Sequence, residues 1–103
     1  MVKLVALYKK PEDPAAFDEH YRTTHVPIVL EMPGLRKCDV FRVTGSPLGE
    51  SEYYLQAEMI FDDMEALKAA LMSDAGKASG RDIRKFAGGL ITMFFAEEAD
   101  FGK

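Results

Sequence analysis

The sequence has little of what usually announces a chemistry. Of 103 residues only Cys38 is a cysteine, which excludes an internal disulfide and any metal site built from several thiolates, and suits a reducing, cytoplasmic setting. No stretch approaches the roughly 20 apolar residues that cross a bilayer, so no membrane partner is expected. The opening MVKLVALYKKPED has a short apolar run without a small-residue cleavage signal, so it is not expected to be a signal peptide. Lysine and arginine total 13 against 17 acids, a net charge of −4 with no basic run, which argues against a nucleic-acid partner. There is no GxGxxG, so a nicotinamide or flavin site of the Rossmann type has no support. Gly76-Lys77-Ala78-Ser79 lacks the upstream glycine of a phosphate loop and follows a helical rather than a strand pattern. No cofactor is therefore expected. With no internal repeats and no low-complexity tracts, residues 1–103 read as one domain.

What is present is an orderly alternation of elements. Val2–Lys9 is mostly apolar and reads as a strand buried on both faces. Asp13-Pro14 has the chemistry of a helix start, with aspartate as N-cap and proline in the first turn. The helix is expected to run to about Thr24, with a further short turn over Ile28–Met32. Pro27 has no N–H and strains a continuing helix, and Val26 before it is pushed from helical geometry, so the helix should end or kink within a turn of His25. Pro33-Gly34 closes the segment. Leu35–Thr44 reads as a strand with Cys38, Val40 and Arg42 on one side, and Gly45–Glu50 is turn chemistry. Tyr53–Phe61 is a third strand, with Leu55, Ala57, Met59 and Phe61 on one face and Tyr54, Gln56, Glu58 and Ile60 on the other. Asp62 or Asp63 can cap a helix over Met64–Met72, whose Met64, Leu67, Ala70 and Leu71 form an apolar stripe. Ser73–Gly89 is polar and glycine-containing, with a short helix across Asp82–Ala87. Leu90–Glu97 is a last strand, apolar on both faces.

Strand, helix, strand, strand, helix, strand is the α+β split βαβ pattern of a ferredoxin-like sandwich. Both helices then cover one sheet face and leave the other bare. Because the first and last strands are apolar on both sides, a symmetric homodimer packed sheet to sheet is expected, with a small-molecule cavity between the sheets. Gln56, Glu58 and Arg42 are the polar residues that would line that cavity. Glu58 and Arg42 as a cross-strand ion pair is the alternative.

His25 is the leading candidate for chemistry. Phe17, Tyr21 and His25 are spaced in fours, and an imidazole beside loosened backbone can shuttle a proton near neutral pH. The same position equally suits a hydrogen-bonding cap. His20 lies five residues away, on a different face of a regular helix, so no metal pair is expected and His20 reads as a solvated surface residue. Tyr8 and Tyr21, like Tyr53 and Tyr54, can orient an oxygenated ligand or simply fill core. A buried strand makes Cys38 inert more readily than nucleophilic.

Phe17-x-x-x-Tyr21-x-x-x-His25-Val26-Pro27 followed by Met32-Pro33-Gly34-Leu35 resembles the signature of the EthD family, named for ethyl tert-butyl ether degradation. The similarity continues through Ser73-Asp74-Ala75-Gly76, Asp82 and Phe86-Ala87-Gly88-Gly89, and so spans nearly the whole chain. The resemblance implies a dimeric α+β barrel and a role in small-molecule catabolism. It carries the family's oxidoreductase label, and among barrel relatives cofactor-independent monooxygenases, lactone isomerases and polyketide cyclases or dehydratases. By the same resemblance His25 is the proton donor or acceptor; on the reading of the residues alone Tyr21 would assist it, with Tyr8, Arg42, Gln56 and Glu58 as ligand contacts. A non-catalytic protein that binds a ligand or supports an oxygenase is the alternative reading.

Overall fold

Alternation in the central strands decides how the layers stack. The computed structural model describes residues 1–102, ordered as β1 (Val2–Lys9), α1 (Pro14–His20), a π turn (Tyr21–His25), α2 (Val26–Val29), β2 (Lys37–Arg42), β3 (Tyr53–Phe61), α3 (Met64–Met72), α4 (Asp74–Phe86) and β4 (Ile91–Glu97). The four strands pair antiparallel in the order β2-β3-β1-β4, the ferredoxin-like arrangement expected from the element sequence. Ala6 pairs with Ala57 on one side and with Met93 on the other, which puts Leu4, Ala6, Tyr8, Leu55, Ala57 and Met59 on the face beneath the helices. There they meet Phe17, Tyr21, Val29, Met32, Leu67 and Ala70 in one buried cluster. Burial of this apolar surface is the main force holding the layers together.

The helix starts follow their caps. Asp13 accepts from the Ala16 N–H at 3.2 Å and precedes Pro14, and Asp63 accepts from the Ala66 N–H at 2.8 Å. Gly34 takes φ +79°, a left-handed turn that needs glycine, and brings the chain from α2 into β2.

Two expectations need correction. The first helical segment does not stop near Thr24, and Val26 does not leave helical geometry: it sits at φ −58°, ψ −43°. The strain from Pro27 is absorbed by a widened turn, in which the Val26 N–H reaches back five residues to the Tyr21 carbonyl. Thr23 supports the distortion by bonding its hydroxyl to the Glu19 carbonyl at 2.6 Å. Second, the polar stretch after Met72 is a full helix of 13 residues, α4, capped by Ser73, whose Oγ accepts from the Gly76 N–H at 3.1 Å. Gly76 passes so close to the end of α3 that a Cβ there would overlap the Ala70 carbonyl oxygen.

The opposite sheet face carries Lys3, Val5, Leu7, Gln56, Glu58, Ile60, Phe41 and Phe94 by register. No element of the described residues covers it, and the molecule is a slab of 36 × 35 × 19 Å. Phe41 is 51 % exposed and Phe94 45 %.

Candidate functional site

Helix α4 crosses the sheet with its smallest residues downward. Gly76, Ser79 and Gly80 face Ala6 and Ala57 across a gap, and a cavity of about 460 Å³ opens between helices and sheet. Leu4, Val29, Met32, Met59 and Ile83 make its walls apolar, and Tyr8, Tyr21, His25, Ser79 and Cys38 supply its polar atoms. Met93 and Phe95 of the edge strand β4 line it as well and are 42 % and 48 % exposed, which marks that side as the mouth. This cavity lies within one protomer, on the helix side of the sheet, a different place from the sheet-to-sheet space that the alternation of polar residues suggested. Shape decides this. Glycine, alanine and serine leave a void where larger residues would have closed the core.

His25 sits at the end of the π turn, 3 % exposed, with its Nδ1 donating to Asp82 Oδ2 at 2.9 Å. Asp82 comes from α4 and is itself 8 % exposed. Its carboxylate also accepts from His20 Nε2, at 2.9 Å to Oδ1 and 3.1 Å to Oδ2. Burial lowers the pKa of His25 by more than the Asp82 hydrogen bond and charge raise it. Burial also pushes Asp82 upward, but the two histidine N–H donors outweigh it and hold the carboxyl below its usual range. Both directions describe one state near neutral pH: Asp82 ionised and His25 neutral, with the proton on Nδ1 and a lone pair on Nε2. No buried side-chain nitrogen or oxygen among the described residues lacks a partner. Among the described residues His25 Nε2 has no hydrogen-bond partner, so it opens on the cavity that His25 lines.

The role of His20 was misread from the sequence for a geometric reason. Five residues on a regular helix put side chains about 140° apart. In the π turn, hydrogen bonding from residue i to i+5 stacks residues five apart, so His20 and His25 turn to the same side and share Asp82. His20 is a half-buried partner of the carboxylate, with Phe86 packed on its ring at 4.6 Å, and not a freely solvated side chain. In the sequence Asp82 stood in the family likeness and at the start of an expected short helix, not as a partner of either histidine. Nothing in its spacing from either histidine, 62 and 57 residues, points to the contact.

The other candidates divide. Tyr8 and Tyr21 join His25 on the cavity wall. Gln56 and Glu58 lie on the bare sheet face, where Lys3 Nζ meets Glu58 at 2.9 Å and Gln56 donates to it at 2.7 Å. The Lys3 hydrogen bond holds the Glu58 carboxyl below its ordinary range. Arg42 is on the helix side, opposite Leu55, where it bonds Asp18 at 3.2 Å and covers the Tyr54 ring at 4.9 Å. It neither pairs with Glu58 nor lines the cavity.

A family model for the EthD domain matches residues 9–90, and with them the π turn, His25 and Asp82. The chain belongs to the EthD family. A solved EthD-family (ethyl tert-butyl ether degradation) protein from Bacillus halodurans is 56 % identical, covers 96 % of this chain and 99 % of its own, and superposes with a TM-score of 0.93. An uncharacterized 11.0 kDa protein from the thcB-thcC intergenic region of Rhodococcus erythropolis is 35 % identical over 103 residues, 95 % of each chain. A dimeric ferredoxin-like protein of unknown function from Thermobifida fusca shares the EthD fold at 12 % identity, with a TM-score of 0.71 over 94 % of this chain and 90 % of its own.

Proposed function

We propose that the protein is an acid–base catalyst for a small, uncharged, largely apolar metabolite, and that His25 is its general base. The observation that carries this is a buried imidazole fixed through Nδ1 by Asp82 in the wall of an apolar cavity. A histidine kept neutral by burial is a competent base near pH 7, and Asp82 stabilises the imidazolium formed when it takes a proton. No lysine or arginine stands among the lining residues. A carboxylate or phosphate ligand would be buried without a counter-charge, which costs far more than burying a ketone, lactone or phenol. The cavity volume falls in the range of small-molecule sites.

The test is exchange of acidic C–H positions for deuterium in D2O, followed by NMR over a panel of neutral ketones and lactones. Wild type should exchange at least one compound, and His25→Gln should slow it by about 10²-fold or more, the usual size of a general-base contribution. Equal exchange by the two proteins removes His25 from the mechanism.

The bare sheet face supports a homodimer, the state described for the Thermobifida fusca relative. Its exposed Phe41 and Phe94 share the face with the paired Lys3 and Glu58, and a paired charge tolerates burial. Sedimentation should give twice the 11.5 kDa chain mass, and Phe94→Asp should shift it to the monomer. A wild-type monomer at micromolar concentration overturns this reading and leaves the cavity, which lies within one protomer, in place.

A further inference from the structure

The cavity holds more unpaired donors than orientation of one ligand atom requires, and two of them stand together. Tyr8 on β1 is 1 % exposed and Tyr21 in the π turn 7 %. Their rings are 5.6 Å apart at 77°, and Tyr21 stands 5.6 Å from the His25 ring. Neither hydroxyl bonds a protein group among the described residues, yet no buried side-chain oxygen there is orphaned, so both hydroxyls open on the cavity that the two residues line. Buried tyrosines ordinarily spend the hydroxyl on a partner within the protein. Burial also pushes both phenols well above their ordinary ionisation range, which keeps them protonated donors. Packing against Phe17 and Phe86 fixes the rings, so the donors are set before anything binds.

We propose that Tyr8 and Tyr21 form an oxyanion site, and that the substrate is a neutral carbonyl compound with an acidic C–H, or a phenol, whose oxygen gains negative charge there. This deepens the reading of His25 as base and rests on it. The step balances without redox. His25 Nε2 takes the proton, and the electron pair of the broken C–H bond forms the C=C of an enolate while the carbonyl π pair moves to oxygen. For a phenol, the O–H pair simply stays on oxygen. The oxygen accepts from both tyrosine hydroxyls, charge-assisted bonds that strengthen as the charge develops. Return of the proton from Nε2 to another carbon regenerates the base and makes the net reaction an isomerisation, while return to the same carbon after exchange with solvent gives only the hydrogen exchange read in D2O.

The probe is 4-nitrophenol, whose ionised form is read from its visible absorbance. At a pH about one unit below its solution pKa, the wild-type protein should bind it as phenolate. Tyr8→Phe and Tyr21→Phe keep the ring packing, and each should weaken phenolate binding about tenfold, the size of one charge-assisted bond. The double variant should bind only the neutral phenol. Binding of the neutral form by wild type, no binding at millimolar concentration, or unchanged phenolate binding in both single variants overturns the oxyanion site. If a variant fails to fold, the ionisation state on the wild-type protein still decides. Deuterium exchange that depends on His25 but not on either tyrosine hydroxyl would keep the base and remove only this pair.

Discussion

Replacing Asp82 with alanine should lower stability by about 3 kcal/mol, because two hydrogen bonds to a buried charged acceptor are lost together. In a domain of this size that is a fall in Tm of about 10–20 °C. The cost exceeds that of a surface ion pair because His25 is buried and its Nδ1–H would be left without an acceptor. Asp82→Asn keeps the volume but can accept from one histidine only while its amide donors face the other. It should lose about half as much stability and disturb the site more selectively. Without the carboxylate, the hydrogen bond and charge that raise His25 disappear while burial stays, so the His25 pKa should drop further below 6.5. The Nδ1–H tautomer should also lose its dominance. Nitrogen-15 NMR of the imidazoles reads both effects. A wild-type tautomer and titration in Asp82→Asn would show that Asp82 does not set the base.

The same cluster gives stability a defined pH dependence. His25 has a folded pKa below its unfolded 6.5, so between those two values the unfolded chain holds more protons. Stability is therefore complete above about pH 6.5 and falls as pH drops toward the folded value. Asp82, also depressed, adds a second loss below its unfolded 3.8. His25→Gln should flatten the first of these phases and leave the second.

Much of the fold could be read from the chain because its signals are local. A short, mostly apolar run placed β1, period-two alternation placed β3, and Asp13-Pro14 and the Asp62-Asp63 pair marked helix starts by their capping chemistry. The errors came where a local rule met a tertiary constraint. Gly76 and Gly80 lower helix propensity and made α4 look like a loop. Gly76 is there because α3 lies too close for a side chain. Pro27 signalled a break, and the chain answered with a wide turn rather than an end.

The site was legible only in part for the same reason. Tyr8 lies on the strand β1, while His25 and Tyr21 stand on a helical row that the sequence displays. The Asp82 contact does not, since it joins segments 57 residues apart. Dismissal of His20 followed correctly from α-helical geometry and failed because the turn is not α-helical. Arg42 and Glu58 showed the limit of alternation: neighbouring strands place them on opposite faces of the sheet. A void cannot be seen in a pattern of apolar residues at all. It depends on which of them are small.

That dependence can be tested at Gly80, where stability and binding should respond separately. A Cβ built there meets nothing within 4 Å, and the residue lines the cavity in the middle of α4. Gly80→Ala should therefore gain about 0.5–1 kcal/mol from the reduced freedom of the unfolded chain, raising Tm by about 2–8 °C. Gly80→Leu should stay as stable as wild type, its side chain extending into open space, but it should weaken 4-nitrophenol binding more than tenfold by occupying the ligand's volume. Gly76→Ala is the control, because its Cβ overlaps the Ala70 carbonyl and it must lose stability. If the cavity were only imperfect packing, filling it would improve the protein at no cost, and Gly80→Leu would bind the probe as wild type does. Loss of binding without loss of stability is what an emptiness kept for a ligand requires.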